Sequence, residues 1–270
     1  MAKKIVITSG KGGVGKTTIT ANLGIALSEL GAKVLLVDID FGLNNLDVVL
    51  GVENKVVYDM GDVLSCRCRL KQALVQYRDK NSLYLLPSLN GTTQYSISGQ
   101  SIRLMLESVD MLFDYIILDC PAGIDVGFHR AVSCANQAIV VATPNLTSIR
   151  DADKVVSVLK SYKLDSVGLV VNRARGDLIM SEKMMMPTDI EKILKIKLIG
   201  VLPEEDVVFL SSGYRISKKS DSFKAYKMLA NNLHIGKSKI FDATAKYSGF
   251  LGSIRGSIRR RVWEKVKMKL

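Results

Sequence analysis

The chain has no apolar run approaching the ~18 residues needed to span a membrane, and its first residues, Met1-Ala2-Lys3-Lys4, have no apolar leader or cleavage site. The expectation is therefore a cytoplasmic protein. Cysteine is sparse: Cys66, Cys68, Cys120 and Cys134 are the only four. Two of them form a C-x-C, which is not a common zinc or redox spacing, and no C-x-x-C follows near the C-terminus. Their scatter fits reduced thiols in a reducing compartment rather than a disulfide framework. Acidic charge is scarce at one end. From Lys237 to Leu270 ten Lys or Arg face only Asp242 and Glu264, so this end holds eight of the twelve net positive charges. The body before it is mildly basic. A tail of this kind is directed at an anionic surface, lipid or nucleic acid. With 270 residues, 47% of them hydrophobic, the chain suits one large α/β domain.

What is present is concentrated near the start. The apolar run Ile5-Val6-Ile7 reads as a buried strand, and Ile19 to Leu30 has an amphipathic helical pattern. Between them lies Ser9-Gly10-Lys11-Gly12-Gly13-Val14-Gly15-Lys16-Thr17-Thr18, in which Gly10, Gly15, Lys16 and Thr17 satisfy G-x-x-x-x-G-K-[ST] in the strand–loop–helix setting that motif requires. Glycines let successive backbone N–H groups turn toward one anion, and the helix N-terminus adds its dipole and unpaired donors. Lys16 is placed to reach the β- and γ-phosphates, and the Thr17 hydroxyl to bind Mg²⁺. Lys33 to Val37 is a second buried strand, ending in Asp38-Ile39-Asp40. Acidic residues at the C-terminal end of such a strand face the ligand crevice of an open parallel sheet. Asp38 is thus a candidate for Mg²⁺ through a water, and Asp40 for orienting the attacking water. Tyr115-Ile116-Ile117-Leu118-Asp119 is an apolar run ending in a carboxylate, a Walker B arrangement that delivers Asp119 to the metal.

The remaining pattern fills in a doubly wound, mainly parallel sheet. Strands are expected at Ser82 to Pro87, Gln137 to Thr143, Val167 to Val171 and Leu198 to Leu202. Helices are expected at Gln100 to Leu112, Thr147 to Tyr162, Ser181 to Leu194 and Ser222 to Leu233. Val48 to Gln76 reads as irregular and helical, Ser88 to Ser98 as a polar loop. The domain built on the phosphate-binding loop is expected to span residues 1–235, with a linker at 236–247 and a basic amphipathic segment at 248–270. At about 100° per residue, Phe250, Leu251, Ile254, Ile258 and Val262 share a sector of roughly 120°, with Arg255, Arg259 and Arg260 beside or opposite it. Gly249, Gly252 and Gly256 each cost about 1 kcal/mol of helix relative to alanine. The segment is therefore expected to fold only on binding an interface. The apolar stripe is unnecessary for neutralising phosphates, which argues against a nucleic-acid arm.

The form Gly10-Lys11-Gly12-Gly13-Val14-Gly15-Lys16-Thr17 resembles the deviant Walker A loop of the ParA/MinD family of ATPases. There the extra lysine, here Lys11, reaches across a dimer interface to the other subunit's nucleotide. Asp38-x-Asp40-x-Gly42-Leu43-x-Asn45-Leu46-Asp47 is similar to the switch I segment of the MinD branch, in which the position of Asp40 holds the hydrolytic water. Cys120-Pro121-Ala122-Gly123 resembles its switch II, with Cys120 replacing the usual hydroxyl residue. Gly123 stands where a backbone N–H meets the γ-phosphate. The resemblance also implies adenine contacts for Asn172, Pro203 and Glu204, and a dimer and partner surface near Arg150, Asp151 and Asp153. The Gly-Phe-Leu at 249–251 is similar to the branch's membrane-targeting sequence.

Taken together, these features imply a homodimer formed on binding Mg²⁺ and ATP, with two weak tails giving avidity on an anionic membrane. The cellular role implied is septum placement with MinC-like or MinE-like partners, the protein being reversibly bound to the inner face of the cell membrane. Nucleic acid is not an expected ligand. The competing relatives are flagellar-number regulators of the FlhG type, which usually carry an extension before the first strand, and DNA-partition ParA proteins, which would lack the apolar stripe. Iron–sulfur carriers and nitrogenase iron-protein relatives need bridging cysteines that Cys120 and Cys134 do not supply. The complete set of hydrolytic residues argues against a purely structural binding module. Departures from the family pattern are Asn145 for a glutamate, Asn44 for a basic residue, the missing Gly-Glu-Pro within Gly213 to Ser222, and a tail that runs longer past Gly-Phe-Leu.

Overall fold

The computed structural model describes residues 1–41, 45–78, 82–89, 97–210 and 216–248. Gly42, Leu43 and Asn44, and the tail with Phe250, Leu251, Ile254, Ile258 and Val262, lie outside the described residues. The strands are β1 (Lys3–Thr8), β2 (Val34–Asp38), β3 (Val75–Gln76), β4 (Leu83–Leu86), β5 (Tyr115–Asp119), β6 (Gln137–Ala142), β7 (Ser166–Ala174) and β8 (Lys197–Pro203). The first six helices are α1 (Lys16–Glu29), α2 (Leu46–Leu50), α3 (Met60–Leu64), α4 (Leu70–Ala73), α5 (Gly99–Glu107) and α6 (Val126–Val132). Then follow α7 (Leu146–Leu159), α8 (Gly176–Ile179), α9 (Pro187–Leu194), α10 (Asp206–Leu210) and α11 (Asp221–His234).

The strands form one sheet in the order β3-β4-β2-β5-β1-β6-β7-β8, parallel except for the β3–β4 pair. Alternation along β1 divides the core. Ile5 and Ile7 join Leu36, Ile117, Leu23, Leu27 and Leu229 on the α1/α11 face. Val6 joins Leu35, Leu118, Leu106, Phe128, Val155 and Leu194 on the other face, under α5, α6, α7 and α9. Strands covered on both sides have no polar face to display, so β2 and β5 are apolar until the carboxylate at their ends. The sheet is wound in opposite senses from β1, which puts its loop at a topological switch point, where open α/β sheets bind ligands.

Three elements differ from the sequence reading. The helix expected over Ser181 to Leu194 begins only at Pro187. Proline lacks an N–H and is pre-set for a first turn, and Met186 before it is extended. Glu182 lies at φ 56 in the preceding turn. The helix expected over Gln100 to Leu112 ends at Glu107, although Val109 stays buried. Val75–Gln76, read as helical, forms an antiparallel edge strand against Tyr84 and Leu85. The stretch expected as a linker, 236–247, lies along the body. Ile240, Phe241 and Ala243 pack on the two core faces. The Ala243 carbonyl closes over Gly176, where a Cβ would meet it at 1.9 Å, and Lys246 pairs with Asp221.

Candidate nucleotide-binding site

The loop after β1 delivers Gly10 to Thr18 directly to the first turn of α1. Gly13 and Gly15 take positive φ values of 74° and 98°, a region that glycine enters without a Cβ clash. Gly15 is the N-cap of α1, with no side-chain cap and no acidic residue in the first turn. Helices α3, α5, α6, α7 and α11 are instead closed by Asp59, Ser98, Asp125, Asn145 and Ser220. The donors at the start of α1 are thus left for an anion. Lys16 is buried at the helix start, while Lys11, Gly12 and Gly13 are exposed. The Ser9 hydroxyl donates to the Lys11 carbonyl at 2.8 Å. Gly10 sits so close to α7 that a Cβ there would lie 2.2 Å from the Asp151 carbonyl oxygen.

Asp38 and Asp119 end adjacent strands in matched register. Both are buried, and the Asp119 charge disfavours ionisation of Asp38. Burial, then Asp119, raises the Asp38 pKa well above the ordinary carboxylate value, against bonds from the N–H groups of Asp40 and Leu46. Asp119 is raised to about 6 by burial, opposed by the Thr17 hydroxyl, Lys16 and the Thr20 hydroxyl; Thr20 donates at 3.1 Å. A divalent cation relieves such a pair. Among the described residues no group of three or more His, Cys, Asp or Glu could enclose a metal. One or two carboxylates with a hydroxyl and substrate phosphates is a donor set that suits Mg²⁺, and Thr17, Asp38 and Asp119 fit it.

Asp40 lies just beyond, half-buried. Its pKa is raised by burial, lowered by Lys16 and raised by Asp125. Its N–H donates to Asp38 Oδ1 at 2.9 Å, and its carbonyl accepts from the Ser88 hydroxyl at 3.1 Å. The Gly123 N–H donates to the Ser9 carbonyl at 3.2 Å, tying the second switch segment to the loop. Cys120 is buried, and burial pushes its thiol up to about 12. Packing is what this position provides.

On the other side of the loop is a cavity of about 120 Å³. Its walls include Gly15, Thr18, Asn172, Arg173, Pro203, Glu204, Glu205, Ser222 and Tyr226, so the three residues expected at a base are together. Asn172 also does something the sequence did not reveal. Its amide donates to the Val14 carbonyl at 2.7 Å, bracing the loop and leaving one N–H and the amide oxygen for a ligand. Glu205 accepts from the Ser222 N–H at 2.7 Å, holding the start of α11 against the cavity. Thr20, Ser88 and Glu205 carry no motif signal, because each is recruited through a contact between segments that are not neighbours in the chain. Asn145 caps α7, accepting from Ser148 N–H at 2.9 Å, which gives this departure from the family pattern a local structural use. Arg150 and Asp153 are exposed on α7.

The uncapped helix after a glycine loop and the paired carboxylates on neighbouring parallel strands define a P-loop nucleoside-triphosphate-binding protein. Residues 5–215 match the family described as the CobQ/CobB/MinD/ParA nucleotide binding domain, and the chain belongs to it. It is 40% identical over 260 residues to the septum site-determining protein MinD of Synechocystis, covering 94% of this chain and 98% of that protein. The MinC:MinD cell division protein complex of Aquifex aeolicus matches with a TM-score of 0.81 and 43% identity, over 88% of this chain and 97% of that one. MinD of Pyrococcus horikoshii, complexed with Mg-ADP, matches with a TM-score of 0.78 and 32% identity, over 87% and 96%. Among the described residues no helix is long and apolar enough to cross a membrane.

Proposed function

We propose that this protein is a MinD-type ATPase that hydrolyses ATP to ADP and phosphate with Mg²⁺, and that its nucleotide cycle governs placement of the division septum. The observation that carries the reading is the juxtaposition of buried Lys16 at the uncapped start of α1 with the buried Asp38–Asp119 pair. The N–H groups of Gly12 to Thr18 and the Lys16 ammonium hold the phosphates. Thr17, Asp38 and Asp119 hold Mg²⁺, which supplies charge neutralisation on the transferring phosphoryl group. Asp40 orients the attacking water, and the switch segment at Gly123, whose N–H is held by the Ser9 carbonyl, lies beside the phosphate loop. Asn172, Pro203 and Glu204 receive the adenine. Exposed Lys11 completes the partner's site when two subunits meet across the nucleotide. Positioning and electrostatics are then the whole of the catalysis.

In the dimer, two copies of residues 248–270 are offered to an anionic membrane at once through Phe250, Leu251, Ile254, Ile258 and Val262. The second attachment is intramolecular, so residence follows the nucleotide. A MinC-like partner, and a MinE-like one, dock on the dimer near α7. Sedimentation with anionic liposomes under ATP or ADP tests this on the full chain and on one ending at Ser248. The expected result is ATP-dependent pelleting of the full chain only. Pelleting that ignores the nucleotide, or survives loss of the tail, rejects the membrane switch. A DNA shift by the same two chains would favour the partition reading instead.

A further inference from the structure

The second switch segment carries a cation that the hydrolytic reading leaves unused. Arg130, on α6, places its guanidinium carbon 4.7 Å from the centre of the Phe41 ring. Phe41 is the residue directly after Asp40 and packs, half-buried, against the core. The Asp40 peptide is fixed on its N-terminal side and at its carbonyl by Asp38 and Ser88. The Phe41 N–H donates to the Ile39 carbonyl at 3.1 Å, so the turn around Asp40 is held as a unit and the Phe41 ring is its contact with α6. Arg130 stands on a rigid post. Asp125 caps α6 by accepting from the Gly127 and Phe128 N–H groups at 3.1 and 3.2 Å. Phe128 and Ala131 are wholly buried, and the Arg130 carbonyl accepts from Ser133 Oγ and Cys134 Sγ. The same segment begins at Gly123, whose N–H holds the Ser9 carbonyl at the mouth of the phosphate loop.

We propose that Arg130 is a positioning residue for hydrolysis: held over the Phe41 ring, it fastens the turn carrying Asp40 to the switch segment that begins at Gly123. The inference rests on the reading of Asp40 as the group that orients water. A guanidinium suits the task because it is planar, permanently charged and weakly hydrated, so it lies flat on a ring where an ammonium would keep its water. The clamp makes the two switch segments move as one. When the second closes on the triphosphate, the ring after Asp40 is carried with it, and attack geometry tolerates little misplacement. Neither Phe41 nor Arg130 belongs to the phosphate loop or lines the cavity at Asn172, so ATP affinity is expected to be unchanged.

Steady-state hydrolysis of Mg·ATP by the full chain tests the clamp with Arg130→Met, Phe41→Leu and the double variant, alongside equilibrium ATP binding. Each single change is expected to lower kcat about tenfold with KM and ATP affinity unchanged. The double variant should be no slower than either single one, as for two partners in one contact. Phe41→Tyr, which keeps the ring, should restore most of the rate, and Arg130→Lys part of it. Wild-type kcat in the single variants, multiplying losses in the double, or a loss shared with ATP affinity overturns the clamp. Should Arg130→Met fail to fold, the Phe41→Leu and Phe41→Tyr pair decides alone. Asp40→Ala run in parallel separates the two claims. If it turns over normally, the reading of Asp40 falls; if it is inactive while Arg130→Met and Phe41→Leu are not impaired, only the clamp falls.

Discussion

At the scale of single residues, burial does most of the chemical tuning. Asp119, fully enclosed, is lifted to about 6 by burial, against the Thr17 hydroxyl, Lys16 and the Thr20 hydroxyl. The same physics silences two thiols. Burial raises Cys120 to about 12 and Cys134 to about 11. Cys68 is also raised, by desolvation and then by Asp62 and Asp59, whereas Cys66 is exposed. Thiolate is the reactive form, so raising a pKa lowers reactivity at any pH below it. At pH 8, pulse labelling with iodoacetamide should modify Cys66 first and Cys68 more slowly. Cys120 and Cys134 should react only at the rate of unfolding, as mass spectrometry of peptides would report. Fast native labelling of Cys120 would contradict the packing described for it.

At the scale of elements, the phosphate loop and α7 are fitted to each other through a single missing side chain. Gly10 leaves no room for a Cβ because the Asp151 carbonyl, part of a helix backbone, cannot yield. Gly10→Ala therefore forces either the loop or α7 to move. We expect it to cost about 2 kcal/mol of stability and to weaken ATP binding at least tenfold; thermal unfolding and nucleotide titration measure both. An unchanged melting temperature would mean that the loop and helix are not held in contact. The ordering of such contacts explains what the sequence showed of the site. Lys16 and Thr17 were legible because they lie within a motif whose strand, glycines and helix are contiguous, and Asp119 because it ends a continuous apolar run. Ser88 on the Asp40 carbonyl, Thr20 on Asp119 and Asn172 on the Val14 carbonyl were not, since each joins segments separated by dozens of residues. Helix ends were blurred for a related reason. Apolar spacing continues before Pro187, but the proline and the positive-φ Glu182 set the start of that helix, not the spacing.

At the scale of the whole molecule, the arrangement leaves Lys11 exposed on the face that also carries Ile124, Val126 and Leu146, large apolar side chains 44%, 73% and 75% exposed. Lys16 is already buried beside its own phosphate site, so Lys11 is the loop cation available to a second subunit. Lys11→Ala should keep ATP binding within a few-fold but abolish ATP-dependent dimerisation, read by analytical ultracentrifugation with a non-hydrolysed ATP analogue. A dimer that persists in this variant would remove Lys11 from the interface. Dimerisation matters to the tail through its root. Residues 236–248 are held to the body by the Lys246–Asp221 pair and by the Ala243 carbonyl over Gly176, so each tail leaves from a fixed point.

By itself the sequence determined the class of chemistry. A glycine loop with lysine and threonine between a buried strand and a helix is built to cradle an anion, and an apolar run that ends in aspartate buries itself and presents that aspartate at the C-terminal end of the strands. Local spacing is enough for this because strand and helix periods repeat along the chain. Only the tertiary structure decided which residues surround that chemistry. Strand order set Asp38 against Asp119, the β7–β8 edge gathered Asn172, Pro203 and Glu204 around one cavity, and α6 brought Arg130 onto Phe41. These are pairings between segments far apart in the chain, fixed by packing and not by any repeating pattern.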